Sequence, residues 1–314
     1  MFLKVDHIGF EEGGNKILHD VFLTQTRIQK LALVGETGSG KSTLLKIIAG
    51  LLQADHGEVL LEGERIKGPR EKLVAGHDHI HYLSQHFELP KFLRVEQILE
   101  YANVLTTEKA DALFTVCDIS HLLGRKTDEL SGGEKQRIAL ARILIASPKL
   151  ILLDEPFSNL DMVHKTVLQQ VILKISKQLK IACVLVSHDP DDVLPWADQI
   201  VVMRNGAIVQ KGPPEEIYRM PVDEYVAGLF GKYNVIEDRR LLKKLGLAGA
   251  TIVRPHQIYV VKKSENTLKA QIEDVKFHGA FYEMKASIHG IVLHLNSPTS
   301  YQPGDVVYVR VRKD

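Results

Sequence analysis

Hydrophobic positions along this chain recur in two rhythms. MFLKVDHIGF and LHDVFLTQT alternate apolar with polar residues and read as strands, joined by the turn EEGGN. LALVG, KLILLDEP and IACVLVSHD are short continuous apolar runs, the pattern of strands buried on both faces. STLLKIIAG reads as a helix stopped by Gly50, and HIHYLSQ as a further strand. From about Leu93 to Leu123 the pattern is helical. VLQQVILKISKQL places Val167, Val171, Ile175 and Leu179 four apart, which predicts an amphipathic helix. IVVMRNGAIVQKG is a hairpin, with Asn205-Gly206 supplying the positive φ angles of a type I′ turn.

Strands alternating with helices predict a mainly parallel sheet with covered faces. The early hairpin predicts an antiparallel portion beside it. After about Tyr233 the texture changes to short β segments, TIVRPHQIYVV, GIVLHL and DVVYVRV, which predict a small barrel-like domain. The length of 314 residues suits one large domain and a smaller one.

Charge changes this picture little. The net charge is +1, with a first part of net −5 (26 Lys and Arg against 31 Asp and Glu, residues 1–230) and a tail of net +6 (14 against 8). Basic and acidic residues alternate in the tail, as on a solvated face. Cys117 and Cys183 form neither a metal spacing nor a disulfide framework, so a reducing cytoplasm is expected and both are read as small core residues. The first residues lack the shape of a signal peptide, and no stretch approaches the ~20 apolar residues of a membrane span.

Chemistry is concentrated in a few short stretches. Gly35, Glu36, Thr37, Gly38, Ser39, Gly40, Lys41 and Ser42, followed by Thr43, fit a phosphate loop between a strand and a helix. Its amides and helix N-terminus suit phosphate, Lys41 the β- and γ-phosphates, and Ser42 a Mg²⁺ ion. LILLDE delivers two acids to a strand end. Asp154 there suits Mg²⁺, and Glu155 suits activation of water. His188 follows another strand and could bond a γ-phosphate; Gln85 could ligate Mg²⁺ and orient water without titrating. In LSGGEKQR, Ser131 and Glu134 form a capping box, while Gly132 and Gly133 leave amides open to a second phosphate contact. The alternating His77, His79 and His81 invite a metal reading, but no cysteine or carboxylate cluster accompanies them.

Together these stretches closely resemble the ATP-binding cassette (ABC) family over residues 1–232. GETGSGKST resembles its phosphate loop, HYLSQ its Q-loop, LSGGEKQ its signature, LILLDE its acidic strand, SNLD (with Asp161) its D-loop, and SHD its switch histidine. IVRPHQIYV and QPGDVVYVRV resemble the OB-like (TOBE-type) regulatory domain of the importer branch. The resemblance implies an α/β P-loop ATPase domain at 1–232, with a mixed sheet, an antiparallel β portion and a helical subdomain at about 86–147. A small all-β OB-like domain at 233–314 would follow. It implies binding and hydrolysis of ATP with Mg²⁺ by Glu155, His188 and Gln85, and contact of Asp161 and Ser131–Gly133 with nucleotide.

The resemblance also implies partners: a second copy in a head-to-tail dimer, integral membrane permease subunits, and indirectly an extracytoplasmic substrate-binding protein. The location would be the cytoplasmic face of the membrane. Polyamine, iron(III) or another small ion are the substrates the branch suggests. A soluble cassette ATPase acting on nucleic acid or ribosomes is the alternative; it would need a basic aromatic groove, which the alternating charges of the tail argue against. Two departures stand out. Glu12 occupies the place where the family stacks adenine on an aromatic, leaving Phe10 as the nearest aromatic, and the helical segment is short.

Overall fold

The computed structural model describes residues 1–84, 89–158, 160–245, 251–264 and 267–312. They form two compact units, Met1–Ile217 and Tyr218–Asp314.

The first unit opens with the predicted antiparallel portion. β1 (Leu3–Glu12), β2 (Asn15–Gln25), β4 (His56–Leu61) and β5 (Glu64–Arg65) form a sheet in the order β2-β1-β4-β5. A six-stranded sheet, β10-β9-β3-β8-β7-β6, stands beside it. Its strands are β3 (Lys30–Val34), β6 (Ile80–Leu83), β7 (Leu150–Asp154), β8 (Ala182–Val186), β9 (Gln199–Arg204) and β10 (Ala207–Gly212). The pairs β9-β3, β3-β8, β8-β7 and β7-β6 are parallel, and β10-β9 is antiparallel. At the β9–β10 turn Asn205 and Gly206 both have positive φ (47° and 77°), the geometry the Asn-Gly pair predicts.

α1 (Lys41–Ile48) packs Leu44, Leu45, Ile47 and Ile48 into one core with Leu31 and Leu33 of β3, Leu150 and Leu152 of β7, and Val5 and Leu23 of the antiparallel sheet. Each such buried side chain contributes about 1.5–3 kcal/mol. All five residues of β7 and of β8 are buried, because the alternate residues of each strand point to the opposite face and are covered too. That is why these strands read as unbroken apolar runs.

Between β6 and β7 come α2 (Val95–Ala102), α3 (Thr107–Val116) and α4 (Gly132–Leu144), as the helical pattern predicts. α5 (Met162–Lys174) buries Leu168, Val171 and Ile172, then widens into a π-helical turn at Ile175–Leu179. The expected stripe at a spacing of four is thus corrected. Val171 and Ile175 are buried, whereas Val167 and Leu179 are only half-buried, because a strict period of four drifts away from the 3.6-residue turn. α6 (Pro190–Val193) follows β8, and α7 (Pro214–Arg219) carries the chain toward the second unit.

The second unit holds α8 (Glu224–Leu229), a two-stranded pair of β11 (Asn234–Ile236) and β12 (Thr251–Val253), α9 (Arg239–Leu245) and a five-stranded antiparallel sheet. The sheet order is β13-β17-β14-β15-β16, from Ile258–Val261, Val306–Val311, Leu268–Phe277, Tyr282–Ile288 and Ile291–Ser297. Its outermost strands β13 and β16 curl back into contact. Leu268, Ala270 and Ile272 of β14 face inward, with exposed residues between them.

The unit begins earlier than the change of sequence texture at 232/233, and Arg254 supplies the physical reason. The residue is 3% exposed, and its guanidinium donates to the carbonyls of Tyr218 (3.2 Å), Ala227 (2.8 Å) and Gly231 (3.1 Å) while lying 4.4 Å from the Tyr218 ring. Residues 218–232 are thereby fastened to the β-rich tail.

Candidate nucleotide site

Three neighbouring strands bring the predicted chemistry together. Leu33 pairs with Val186, and Val186 with Asp154, so β3, β8 and β7 end in one row. The phosphate loop, the acids and the histidine therefore leave the sheet at one level, at the carboxyl ends of the strands, where open α/β sheets bind ligands.

The loop from Gly35 turns into α1 at Gly40, whose φ of 96° suits glycine; a Cβ there would also lie 2.7 Å from Leu18. Glu36, Thr37, Gly38 and Ser42 are exposed, Thr43 is half-buried, and Ser39 and Lys41 are buried. The Lys41 ammonium donates to the carbonyls of Gly35 and Glu36 (2.7 Å each) and to Ser39 Oγ (3.2 Å). Burial pushes it below the usual lysine range, against the pull of Glu155, Asp154 and Glu36. A buried cation held only by neutral oxygens, at the head of a helix, is arranged to receive an anion.

Asp154 is 5% exposed and has a donor on each oxygen: Ser42 Oγ at 3.1 Å from Oδ1 and the Tyr82 hydroxyl at 2.7 Å from Oδ2. Burial, and then the Asp154 carboxylate, hold the Tyr82 phenol above its usual range. A carboxylate and a hydroxyl oxygen facing each other at this distance are hard donors of the kind Mg²⁺ takes. Glu155 sits at φ 48°, a left-handed backbone costing a non-glycine residue about 1–3 kcal/mol. The conformation is held by its amide donating to Val186 O (3.0 Å) and by Ser158 Oγ donating to its carbonyl (2.9 Å). Its carboxylate lies 3.5 Å from Nδ1 of the exposed His188.

The signature turn lies elsewhere. Ser131 caps α4 as expected, accepting from the Glu134 amide (3.3 Å) while Glu134 accepts from the Ser131 amide (2.7 Å). Ser131 and Gly132 are exposed, but Gly133 is buried, and a Cβ on it would strike the His164 ring at 2.5 Å. The two glycines therefore differ: Gly132 is open, whereas Gly133 leaves no room for a side chain. His164 in turn is bonded by Asp161, whose carboxylate caps α5 through the His164 amide (3.0 Å) and reaches His164 Nδ1 (2.7 Å). Among the described residues these contacts do not extend to the phosphate loop.

Phe10 is 9% exposed and belongs to the core. It also lines a cleft of about 590 Å³ with Gly9, Glu11, Lys16, Leu18 and His19, and Leu18 lies against Gly40 of the phosphate loop. Gln85 lies outside the described residues. Among the described residues no group of three or more His, Cys, Asp or Glu could hold a metal, because His77 and His79 precede β6 rather than alternating along it. Both cysteines are buried, with thiols pushed up to about 12 by desolvation.

Two participants were not legible beforehand. Tyr82 reads in sequence as one apolar position of a strand. Lys165 reads as a polar helix position; it pairs with Asp189 and, at 2.7 Å, with Asp192, tying α5 to the loop that carries His188. Asp192 is also bonded by Ser187 (2.8 Å) and Gln169 (2.9 Å).

Comparison with known proteins identifies the family. A family model described as ABC transporter matches residues 18–158, and one described as TOBE domain matches 251–314. The chain is 31% identical to the sulfate/thiosulfate import ATP-binding protein CysA of Bacillus cereus, over all of this chain and 97% of that one. It is 29% identical to the spermidine/putrescine import ATP-binding protein PotA of Acetivibrio thermocellus, over 94% and 90% of the two chains. Among solved structures, the ADP conformation of MJ1267, an ATP-binding cassette of an ABC transporter, aligns with a TM-score of 0.64 at 27% identity, covering 73% of this chain and 98% of that one. The chain therefore belongs to the ABC transporter family, as an ATP-hydrolysing subunit of the import type that carries a C-terminal TOBE domain.

Proposed function

We propose that two copies of this chain close head to tail around ATP. Each nucleotide would then lie between the phosphate loop of one copy and the signature turn of the other. The observation that carries this reading is the separation within one chain. Lys41, Ser42, Asp154, Glu155 and His188 gather at one sheet end, while Ser131 and Gly132 sit exposed at a helix start whose contacts lead to Glu134 and, through Gly133, to His164.

In that arrangement Lys41 exchanges its carbonyl partners for phosphate oxygens, and the base end of the nucleotide enters the cleft beside Phe10 and Leu18. Ser42 and Asp154 would hold Mg²⁺, with Gln85 as a further ligand. Bound there, the ion supplies neutralisation of phosphate charge. Glu155 takes the proton of the attacking water, general-base help worth roughly 10²–10⁴-fold. His188 donates toward the γ-phosphate and stays in register with Glu155. Asp161 keeps the first turn of α5 against Gly133. The closing motion passes to integral permease subunits at the cytoplasmic face of the membrane, with an extracytoplasmic binding protein delivering the solute. No helix among the described residues is long and apolar enough to cross a membrane, so passage of the solute falls to those partners. Sulfate, polyamine and ferric ion, the solutes in the names of similar proteins, define the class of small ions expected. Residues 233–314 would regulate rather than catalyse.

Tagged heterodimers test the composite site. With Lys41→Ala in one copy and Ser131→Arg in the other, both defects fall in one site and the second still binds ATP and closes. With both substitutions in one copy opposite a wild-type copy, each site carries one defect and closure is lost. The reverse pattern would sink the composite-site reading.

A further inference from the structure

The Asp154 carboxylate is divided between two hydroxyls. Ser42 holds Oδ1 from the phosphate-loop side, and Tyr82 holds Oδ2 from β6. Tyr82 stands opposite Leu152 in the β6–β7 register, two residues before Asp154, so it and Asp154 share a face as diagonal neighbours. The ring of Tyr82 packs against the core, which fixes where its hydroxyl can reach. With Asp154 almost wholly removed from solvent, these two protein donors set the plane of the carboxylate.

The two donors would fare differently when a cation is bound. Ser42 is itself a candidate ligand and must turn its oxygen toward the ion. Tyr82 addresses the other carboxylate oxygen and can stay in place. We propose that Tyr82 is a positioning residue of the Mg²⁺ site: it locks Asp154 with Oδ1 presented to Ser42 and the phosphate loop, before the ion arrives. The proposal rests on the reading of Ser42 and Asp154 as the Mg²⁺ site. Outer partners of this kind typically change metal affinity by roughly 10–100-fold when removed.

The full-length chain and its Tyr82→Phe variant are compared by binding of a fluorescent ATP analogue, titrated with Mg²⁺ and repeated in EDTA. Phenylalanine keeps the ring and its packing and removes only the donor. The expected result is an unchanged affinity in EDTA, with the Mg²⁺ midpoint raised roughly 10–100-fold. Thermal denaturation in EDTA reports folding, and Tyr82→Leu serves as a second hydroxyl-free variant should phenylalanine fold poorly. An unshifted Mg²⁺ midpoint in a folded hydroxyl-free variant overturns the role of Tyr82. A wild-type chain that binds the analogue in EDTA but gains nothing from Mg²⁺ would overturn the underlying Mg²⁺ site as well.

Discussion

Nδ1 of His188 lies 3.5 Å from Oε1 of Glu155, although the two residues come from the ends of different strands. The pairing sets a carboxylate and an imidazole side by side at the sheet end that carries the phosphate loop. Glu155→Gln is therefore expected to keep ATP binding and slow hydrolysis roughly 10²–10⁴-fold, accumulating the closed dimer. Steady-state phosphate release, with size-exclusion chromatography in ATP, measures both; wild-type turnover would remove Glu155 from the role of base.

Lys165 is expected to matter beyond its place on a helix surface. Lys165→Met leaves Asp192, itself 3% exposed, with only the neutral donors Ser187 and Gln169. A cost of about 1–3 kcal/mol follows from an under-compensated buried carboxylate. Chemical denaturation reads this cost, and turnover should fall as well because the His188 loop loses its tether. A variant with unaltered stability and turnover would show that the tether is idle.

The α4 cap should titrate. Backbone bonding from Ser131 holds the Glu134 carboxyl below its usual value of 4.5. A depressed carboxylate stabilises the fold above its unfolded pKa and loses that contribution as pH falls through the lower folded value. Glu134→Gln can still accept from the Ser131 amide and should flatten the acid limb of a stability–pH curve starting below about pH 4.5. Glu134→Ala should cost about 0.5–1.5 kcal/mol at pH 7, the loss of the hydrogen bond that Glu134 accepts from the Ser131 amide. Equal acid limbs for wild type and Glu134→Gln would contradict the titration.

Arg254 anchors the second unit. Arg254→Met strands the carbonyls of Tyr218, Ala227 and Gly231 and is expected to cost about 2–4 kcal/mol, more than one hydrogen bond to a charged group. Limited proteolysis should then cut within 218–232 first, while ATP binding by the first unit persists. Protection of that segment equal to wild type would refute the anchor.

Strands β1–β3 and β6–β10, the buried status of β7 and β8, the Asn-Gly hairpin and the α4 capping box follow from the sequence alone. Each is set by residues within a few positions of one another, through side-chain alternation, turn conformation or local hydrogen bonds. The identities of Lys41, Ser42, Asp154, Glu155 and His188 were likewise legible, because a strand followed by a polar loop places its last residues at a sheet edge. Tertiary structure alone decided what they touch. The β3-β8-β7 order sets His188 beside Glu155, and the β6–β7 register sets Tyr82 on Asp154. Packing of α5 against α4 makes Gly133 a steric necessity, and Arg254 draws residues 218–232 into the second unit. These contacts join positions from 22 to 72 residues apart, as with Tyr82 and Asp154 at the far limit and Arg254 and Lys232 at the near one. No local propensity encodes such pairs; they exist only once buried apolar faces have chosen which strands and helices become neighbours.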